Sequence, residues 1–296
     1  MTPTSTALAA NLPLAAKLSE FADLLEQQEA DRFRVAAYRK AAAAVRGFDR
    51  PVPAILAEGG LGALVALPLI GRRIAAAIAE MVATGRWSQL DRLRGSLDPE
   101  SLFRSIPGIG PELAGRLSDR LQVESLEALE SAAHDGRLDA VEGFGPRRVT
   151  MVRAALAERL GRPRLQRMRG DSPKPPASVL LDVDREFREK AAAGQLRTIA
   201  PRRFNPEGRS WLPILHTRRG PWQLTALYSN TRLAHELGRI GDWVVIYYHT
   251  NSSAEGQCTI VTERRGPLAG RRVVRGRERE CVRTPRARDA FAVATS

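Results

Sequence analysis

Residues 106–114 read Ile106-Pro107-Gly108-Ile109-Gly110-Pro111-Glu112-Leu113-Ala114. An apolar residue between two glycines, with apolar helical text on both sides, is a turn joining two helices. Glycine permits the tight or positive-φ backbone such a turn needs, and Pro111 stands where the first helical residue favours proline. The arrangement recurs at Leu67-Pro68-Leu69-Ile70-Gly71-Arg72-Arg73-Ile74-Ala75 and at Val141-Glu142-Gly143-Phe144-Gly145-Pro146-Arg147-Arg148-Val149. Its chemistry suits phosphate. The second glycine leaves unpaired N–H groups at the start of the next helix, where the helix dipole favours an anion. Arginines follow at once: Arg72 and Arg73, Arg116, Arg147 and Arg148. The expected contact positions are therefore Gly71, Gly108, Ile109, Gly110, Gly143 and Gly145 with those arginines. Contacts to phosphate carry no sequence information. For any one hairpin the alternative is plain helix packing; three in succession, each with a basic second helix, favour the anion.

Outward from these hairpins the text stays helical from Leu12 to about Arg162. Leu14, Leu18, Phe21, Leu24 and Leu25 recur at helical spacing, and Arg32–Val45 reads as a second, Ala-rich helix. Residues 1–11 read as a frayed, disordered end, 12–95 as a helical domain and 96–161 as a tandem hairpin unit. Residues 162–177, rich in proline and arginine, read as an extended basic linker. Residues 178–284 change character to a mostly antiparallel α+β domain, and 285–296 read as a disordered tail. The domain opens with one helix over Val183–Ala193. Strand-like runs follow at Trp211–Thr217, Trp222–Tyr228, Asp242–His249, Gln257–Thr262 and Arg271–Arg275. Val244–Tyr248 is continuously apolar, as a strand buried on both faces would be. Ser229–Gly238 reads as a helix capped by Ser229 or Asn230.

The chain has 296 residues, 46 basic and 33 acidic, for a net charge of +13. Residues 1–162 hold 21 basic and 20 acidic side chains, so nearly all the excess lies in the second half. A strongly basic balance points to an anionic partner, most often nucleic acid. Two cysteines rule out a disulfide framework and a cysteine-based zinc finger. The longest nearly apolar run, Leu61–Gly71, is too short for a bilayer, and no Lys or Arg precedes Lys17 as a secretory leader would require. The expected location is the cytoplasm, in association with the nucleoid, with no membrane partner.

Phe21–Val45 (FADLLEQQEADRFRVAAYRKAAAAV), Leu67–Trp87 (LPLIGRRIAAAIAEMVATGRW), Ile106–Leu117 and Gly136–Val149 resemble, in this order, the N-terminal helix-hairpin-helix modules of family X DNA polymerases, the DNA polymerase beta type. The resemblance covers residues 12–160. It implies a small four-helix domain that grips a 5′ end or gap in DNA, with Arg34, Tyr38 and Arg39 on its second helix, followed by a hairpin unit that grips duplex. It also implies a monovalent cation, Na or K, on the backbone carbonyls of Arg104, Ile106 and Ile109; no other cofactor is required. Two departures matter. Leu69 stands where the family usually has glycine. Ala77 stands where family members with lyase activity carry a Schiff-base lysine, and arginine cannot replace it because its guanidinium stays protonated. No lyase activity is expected.

Nor is polymerisation. Asp182-Val183-Asp184 has the Asp-x-Asp form but lacks a preceding Gly-Ser turn, and Asp184 reads as a helix N-cap. The histidines and the metal-ligand content of a family phosphoesterase are also missing. The second half resembles no family. Its arginine pairs, Arg271 and Arg272 among them, lie near Trp211, Trp222 and Tyr228. A basic sheet with aromatics can bind nucleic acid; a solubilising surface around buried tryptophans is the alternative. His216, His235, His249, Glu236, Glu255, Glu263 and Cys258 leave open a nuclease there, although no lysine follows Lys190. The sequence thus points to a non-enzymatic protein that binds gapped, ended or branched DNA, together with repair partners, with a nuclease or a protein-interaction adaptor as alternatives.

Overall fold

The computed structural model describes residues 5–96, 98–159, 173–250, 253 and 255–282. Five helices form the first layer: α1 (Ser5–Gln27), α2 (Arg32–Gly47), α3 (Val52–Val65), α4 (Arg72–Thr84) and α5 (Ser88–Leu93). Asp31 caps α2, its carboxylate accepting from Phe33 N–H at 2.7 Å. The predicted stripe of α1 is buried at Leu14, Leu18, Phe21 and Leu25 and half-buried at Leu24, and Phe21 lies against Tyr38 and Trp87 with ring centroids 4.7 and 4.2 Å away. The frayed end expected over 1–11 is corrected from Ser5 onward. There α1 has already begun, because buried Asn11 anchors it: its Oδ1 accepts from Val52 N–H at 2.8 Å and its Nδ2 donates to Arg50 O at 3.0 Å.

The tandem unit follows: α6 (Pro99–Arg104), α7 (Pro111–Leu121), α8 (Leu126–His134), a 3-10 turn at Leu138–Ala140, and α9 (Pro146–Arg159). It has its own core, in which Phe103, Ile106, Ile109, Leu117, Phe144 and Val152 are buried together.

The second half is α10 (Ala177–Ala192), β1 (Arg197–Ile199), β2 (Leu212–Arg219), β3 (Trp222–Tyr228), α11 (Arg232–Glu236), β4 (Val244–His249), β5 (Gly256–Thr262), β6 (Arg272–Val274) and α12 (Glu278–Val282). The strands form one antiparallel meander in sequence order. β4 is buried along its whole length, as its unbroken apolar run requires. One face of the sheet (Leu224, Ala226, Val244, Ile246, Ile260) packs with Leu180, Val183 and Phe187 of α10. The other (Ile199, Leu212, Ile214, Leu227, Val245, Tyr247) belongs to the same core as α1–α5. The sheet is therefore a middle layer. Its two faces are covered, so the open basic platform with stacking aromatics is corrected: Trp222 is buried edge-on to Tyr248.

Other sequence expectations also change. β1 and α12 were not foreseen. α10 begins at Ala177, directly after the prolines, so Asp184 is not an N-cap. It is 1% exposed and mid-helix, and it holds Arg272 Nη2 at 2.5 Å and Arg188 Nε at 3.1 Å. α11 is capped by Thr231, whose Oγ1 accepts from Ala234 N–H at 3.3 Å, and stops at Gly238 (φ 60°). Most of the linker and the tail 285–296 lie outside the described residues. Among the described residues no helix is long and apolar enough to cross a membrane.

Candidate nucleic-acid interface

The three hairpins share one construction. A central apolar side chain plugs the core: Ile70, Ile109 and Phe144 are each buried. The preceding residue takes a positive φ, Gly108 at 84° and Gly143 at 91°, and in the first hairpin Leu69 at 64°. The next helix then starts from Gly71, Gly110 or Gly145, whose carbonyl accepts the first intrahelical bond from Ala75, Ala114 or Val149. These second glycines differ from the first. None has a positive φ, and a Cβ built on any of them meets nothing within 4 Å. The fold has no need of glycine there, so the space before each helix N-terminus is open.

The second and third hairpins face each other. A Cβ on Gly108 would run into Met151, five residues into α9 from Pro146. A Cβ on Gly143 would meet Leu113 and Arg116, the latter five residues into α7 from Pro111. The unit is a pseudo-symmetric pair, with Gly110 and Gly145 opening its two helix starts. Arg147 makes no hydrogen bond or ion pair among the described residues, whereas Arg148 donates to Gly143 O within its own hairpin. Arg116 is a brace, donating to Glu142 O at 3.1 Å and to Glu112 Oε1 at 2.6 Å.

The candidate cation ligands sit at the second hairpin. Ile106 O accepts from Ile109 N–H at 3.1 Å and keeps one lone pair. Uncharged carbonyl donors around a positive-φ turn suit a monovalent ion.

A second feature lies where the first hairpin meets the sheet. A cleft of about 650 Å³ is bounded by α2, the start of α4 and the ends of β2–β4. Arg34, Arg72, Arg73 and Arg218 line it; Asp31, spent on capping α2, is its one carboxylate among the described residues. The Nε atoms of Arg34 and Arg73 are shut off from solvent with no hydrogen-bond partner among the described residues. Arg73 Nη1 donates to Ser253 O at 3.3 Å. Burial works against the Arg34 charge and, with Arg73 and Arg34 nearby, holds the His249 imidazole well below its ordinary range.

Other expected contact residues are placed elsewhere. Tyr38 is 5% exposed and serves the aromatic core, reaching the cleft only as its floor. Arg39 turns to α1 and pairs with Asp23 at 3.0 Å and Glu26 at 2.6 Å. Arg272, 16% exposed, is corrected from a DNA contact to a clamp between Asp184 and Asp242, and Arg271 reaches Cys281 O at 3.4 Å. Reading the sequence missed Arg218, Gln223 and His249 as cleft residues. Strand alternation places them on one face, but only the tertiary fold tells which face meets the helices. Among the described residues no three His, Cys, Asp or Glu side chains gather as a metal group.

Residues 9–87 match the model of a family described as "Helix-hairpin-helix domain", and residues 100–158 that of a "SAM-like Helix-hairpin-helix tandem". The helical half carries helix-hairpin-helix modules. It is also 30% identical over 143 residues to the DNA polymerase/3'-5' exonuclease PolX of Bacillus subtilis (strain 168), covering 48% of this chain. The chain spans 24% of that relative's length. The expected resemblance to family X polymerases holds over this half, and the helix-hairpin-helix modules support DNA binding.

Proposed function

We propose that the protein recognises DNA gaps, ends or branches in repair or a related process, through backbone amides of its helix-hairpin-helix modules, and has neither polymerase nor lyase activity. The observation that carries this reading is the second glycine of each hairpin. Gly71, Gly110 and Gly145 are free of conformational or packing demands, yet each leaves room before a helix start, which is what an approaching phosphate requires. Arg72 and Arg147 flank two of these positions without ion pairs among the described residues. A monovalent cation on the Arg104, Ile106 and Ile109 carbonyls, cytoplasmic location and repair partners belong to the same proposal.

Absence of lyase chemistry is supported by Ala77, buried in α4, and by a cleft without lysine among its described lining residues. Absence of polymerase chemistry is supported by the Asp182 and Asp184 carboxylates, which are taken up by arginines. Fluorescence anisotropy on duplex, gapped, flapped and single-stranded DNA across a salt series tests the binding. Affinity should fall linearly with log[salt], by a slope of about 0.9 per phosphate neutralised, and be highest for interrupted duplex. No affinity at about 50 mM salt would overturn it. A borohydride-trapped adduct on abasic DNA would overturn the absence of lyase chemistry.

A further inference from the structure

The helical half carries its hairpins on two bodies. The first hairpin belongs to α1–α5, and the second and third belong to the tandem unit, whose core is separate. Residues 94–98 join the two. Two grips on a short free joint would adopt many mutual angles and engage any duplex through effective concentration alone.

The sheet removes that freedom, because one cross-strand pair bonds to both bodies. Tyr247 of β4 and Gln257 of β5 stand opposite each other in register. Toward the first body, Arg92 of α5 lies over the Tyr247 ring, its guanidinium carbon 3.2 Å from the centroid, and pairs with Glu255 at 3.0 Å. Toward the tandem unit, the Tyr247 hydroxyl donates to Glu124. The Gln257 amide clasps the same α7–α8 loop: its Nε2 donates to Gln122 O at 2.5 Å, and its Oε1 accepts from Glu124 N–H at 3.1 Å. The joint itself is pinned. Arg202 N–H donates to Gly95 O at 2.6 Å. Gly95 takes a φ of 74° and lies so near the residue after β1 that a Cβ there would stand 2.3 Å from Ala200 O. The two bodies also approach each other where α4 nears α9.

Stiff duplex resists bending, whereas an interruption acts as a hinge. A rigid pair of grips therefore discriminates between the two, and it binds the matching shape without first losing its own freedom. We propose that the second half of the chain is a brace that sets the DNA geometry the protein accepts. It holds the two gripping bodies at one separation and angle, with Tyr247 and Gln257 as positioning residues, so that intact duplex must deform to reach both. The proposal rests on the DNA-binding reading.

Dyes attached at exposed Lys40 and Arg120, one on each body, report the separation by single-molecule energy transfer. Anisotropy on gapped and intact duplex of equal length reports the preference. The full-length chain should give one narrow distance distribution and bind gapped DNA about tenfold more tightly, the low end of what bending an intact site costs. Gln257→Glu keeps an acceptor for Glu124 N–H but turns its other oxygen against Gln122 O. Combined with Tyr247→Phe, it opens the tandem side and leaves Arg92 with Glu255. Gly95→Ala disturbs the joint from the β1 side. Both changes should broaden the distribution and bring the gapped-to-intact ratio to within about twofold of one, whereas a purely structural loss weakens both DNAs equally. Gln257→Glu alone, at a half-buried position, serves if the double variant does not melt cooperatively. Arg147→Ala should weaken both DNAs and keep the ratio. A broad wild-type distribution, a wild-type ratio of one, or a broadened variant that keeps the ratio overturns the proposal while leaving DNA binding intact. Folded variants that keep a narrow distribution overturn it too, and assign the fixed placement to the contact of α4 with α9. A wild-type chain with no affinity for either DNA overturns the underlying reading instead.

Discussion

Leu69 holds a left-handed φ of 64° with its side chain 59% exposed, at the hairpin position where Gly108 and Gly143 stand in the other two. A non-glycine residue in this region costs roughly 1–2 kcal/mol. Leu69→Gly should therefore stabilise the chain by about 1 kcal/mol, less the added freedom of glycine in the unfolded state, as read from urea midpoints. An unchanged or lower midpoint would mean that Leu69 packing outweighs its strain. The sequence showed the substitution but not its conformation. Asp184 gives the opposite lesson. Its Asp-x-Asp spacing suggested metal chemistry or a cap, and the structure makes it a buried anion shared by Arg272 and Arg188. Removing one partner from such a group leaves uncompensated charge, worth about 3–5 kcal/mol, so Asp184→Ala should strongly destabilise the sheet. Melting within about 2 °C of wild type would contradict this, since even 1 kcal/mol moves a chain of this size by roughly that much.

At the scale of the element, the hairpins separate structural from functional glycine. Gly110→Ala and Gly145→Ala add a methyl group to open space at ordinary φ, so unfolding free energy should fall by no more than about 1 kcal/mol, the preference for glycine over alanine at a helix N-cap. The methyl occupies the approach to the helix amides, and DNA affinity should fall about tenfold for the pair. Gly108→Ala and Gly143→Ala should behave the other way, losing stability first, because the positive φ opposes a side chain there. If both pairs lowered stability and affinity in parallel, the hairpins would be packing devices and the phosphate reading would fail. These elements were legible because periodicity and glycine spacing are local signals. The antiparallel sheet and its all-buried β4 were legible for the same reason. α12 and the three-residue β1 were not, since so short a run carries no periodicity.

The whole molecule is where sequence reading had least purchase. A basic, proline-rich stretch separates two kinds of text, and it suggested tethered domains; which faces dock is a long-range matter with no local signature. The sheet instead shares a core with α1–α5, and polar contacts reinforce the junction. Arg92 pairs with Glu255 at 3.0 Å, both almost fully buried, and lies over the Tyr247 ring, while Tyr247 Oη donates to Glu124. The second half expressed alone should expose Ile214, Leu227, Val245 and Tyr247 and self-associate. A monodisperse, folded fragment by light scattering would show that the junction is dispensable. The same junction sets a pH dependence. Gln28 Nε2 donates to Leu93 O at 3.1 Å, so its Oε1 faces His216 Nε2 at 3.0 Å as an acceptor and places a proton on Nε2, while Nδ1 lies 3.0 Å from Thr225 Oγ1. Burial, with Arg34 and Arg92 nearby, pushes His216 down to about 3. The unfolded chain binds this proton below about 6.5 and the folded chain does not. The contribution is thus complete above pH 6.5 and is lost as pH falls toward 3, with depressed His249 acting in the same direction. Glu124, raised by burial, acts in the opposite sense, so the comparison must be with a variant. Urea midpoints of wild type and His216→Gln should converge as pH falls from 7 to 4.5; parallel curves would place the acid sensitivity elsewhere.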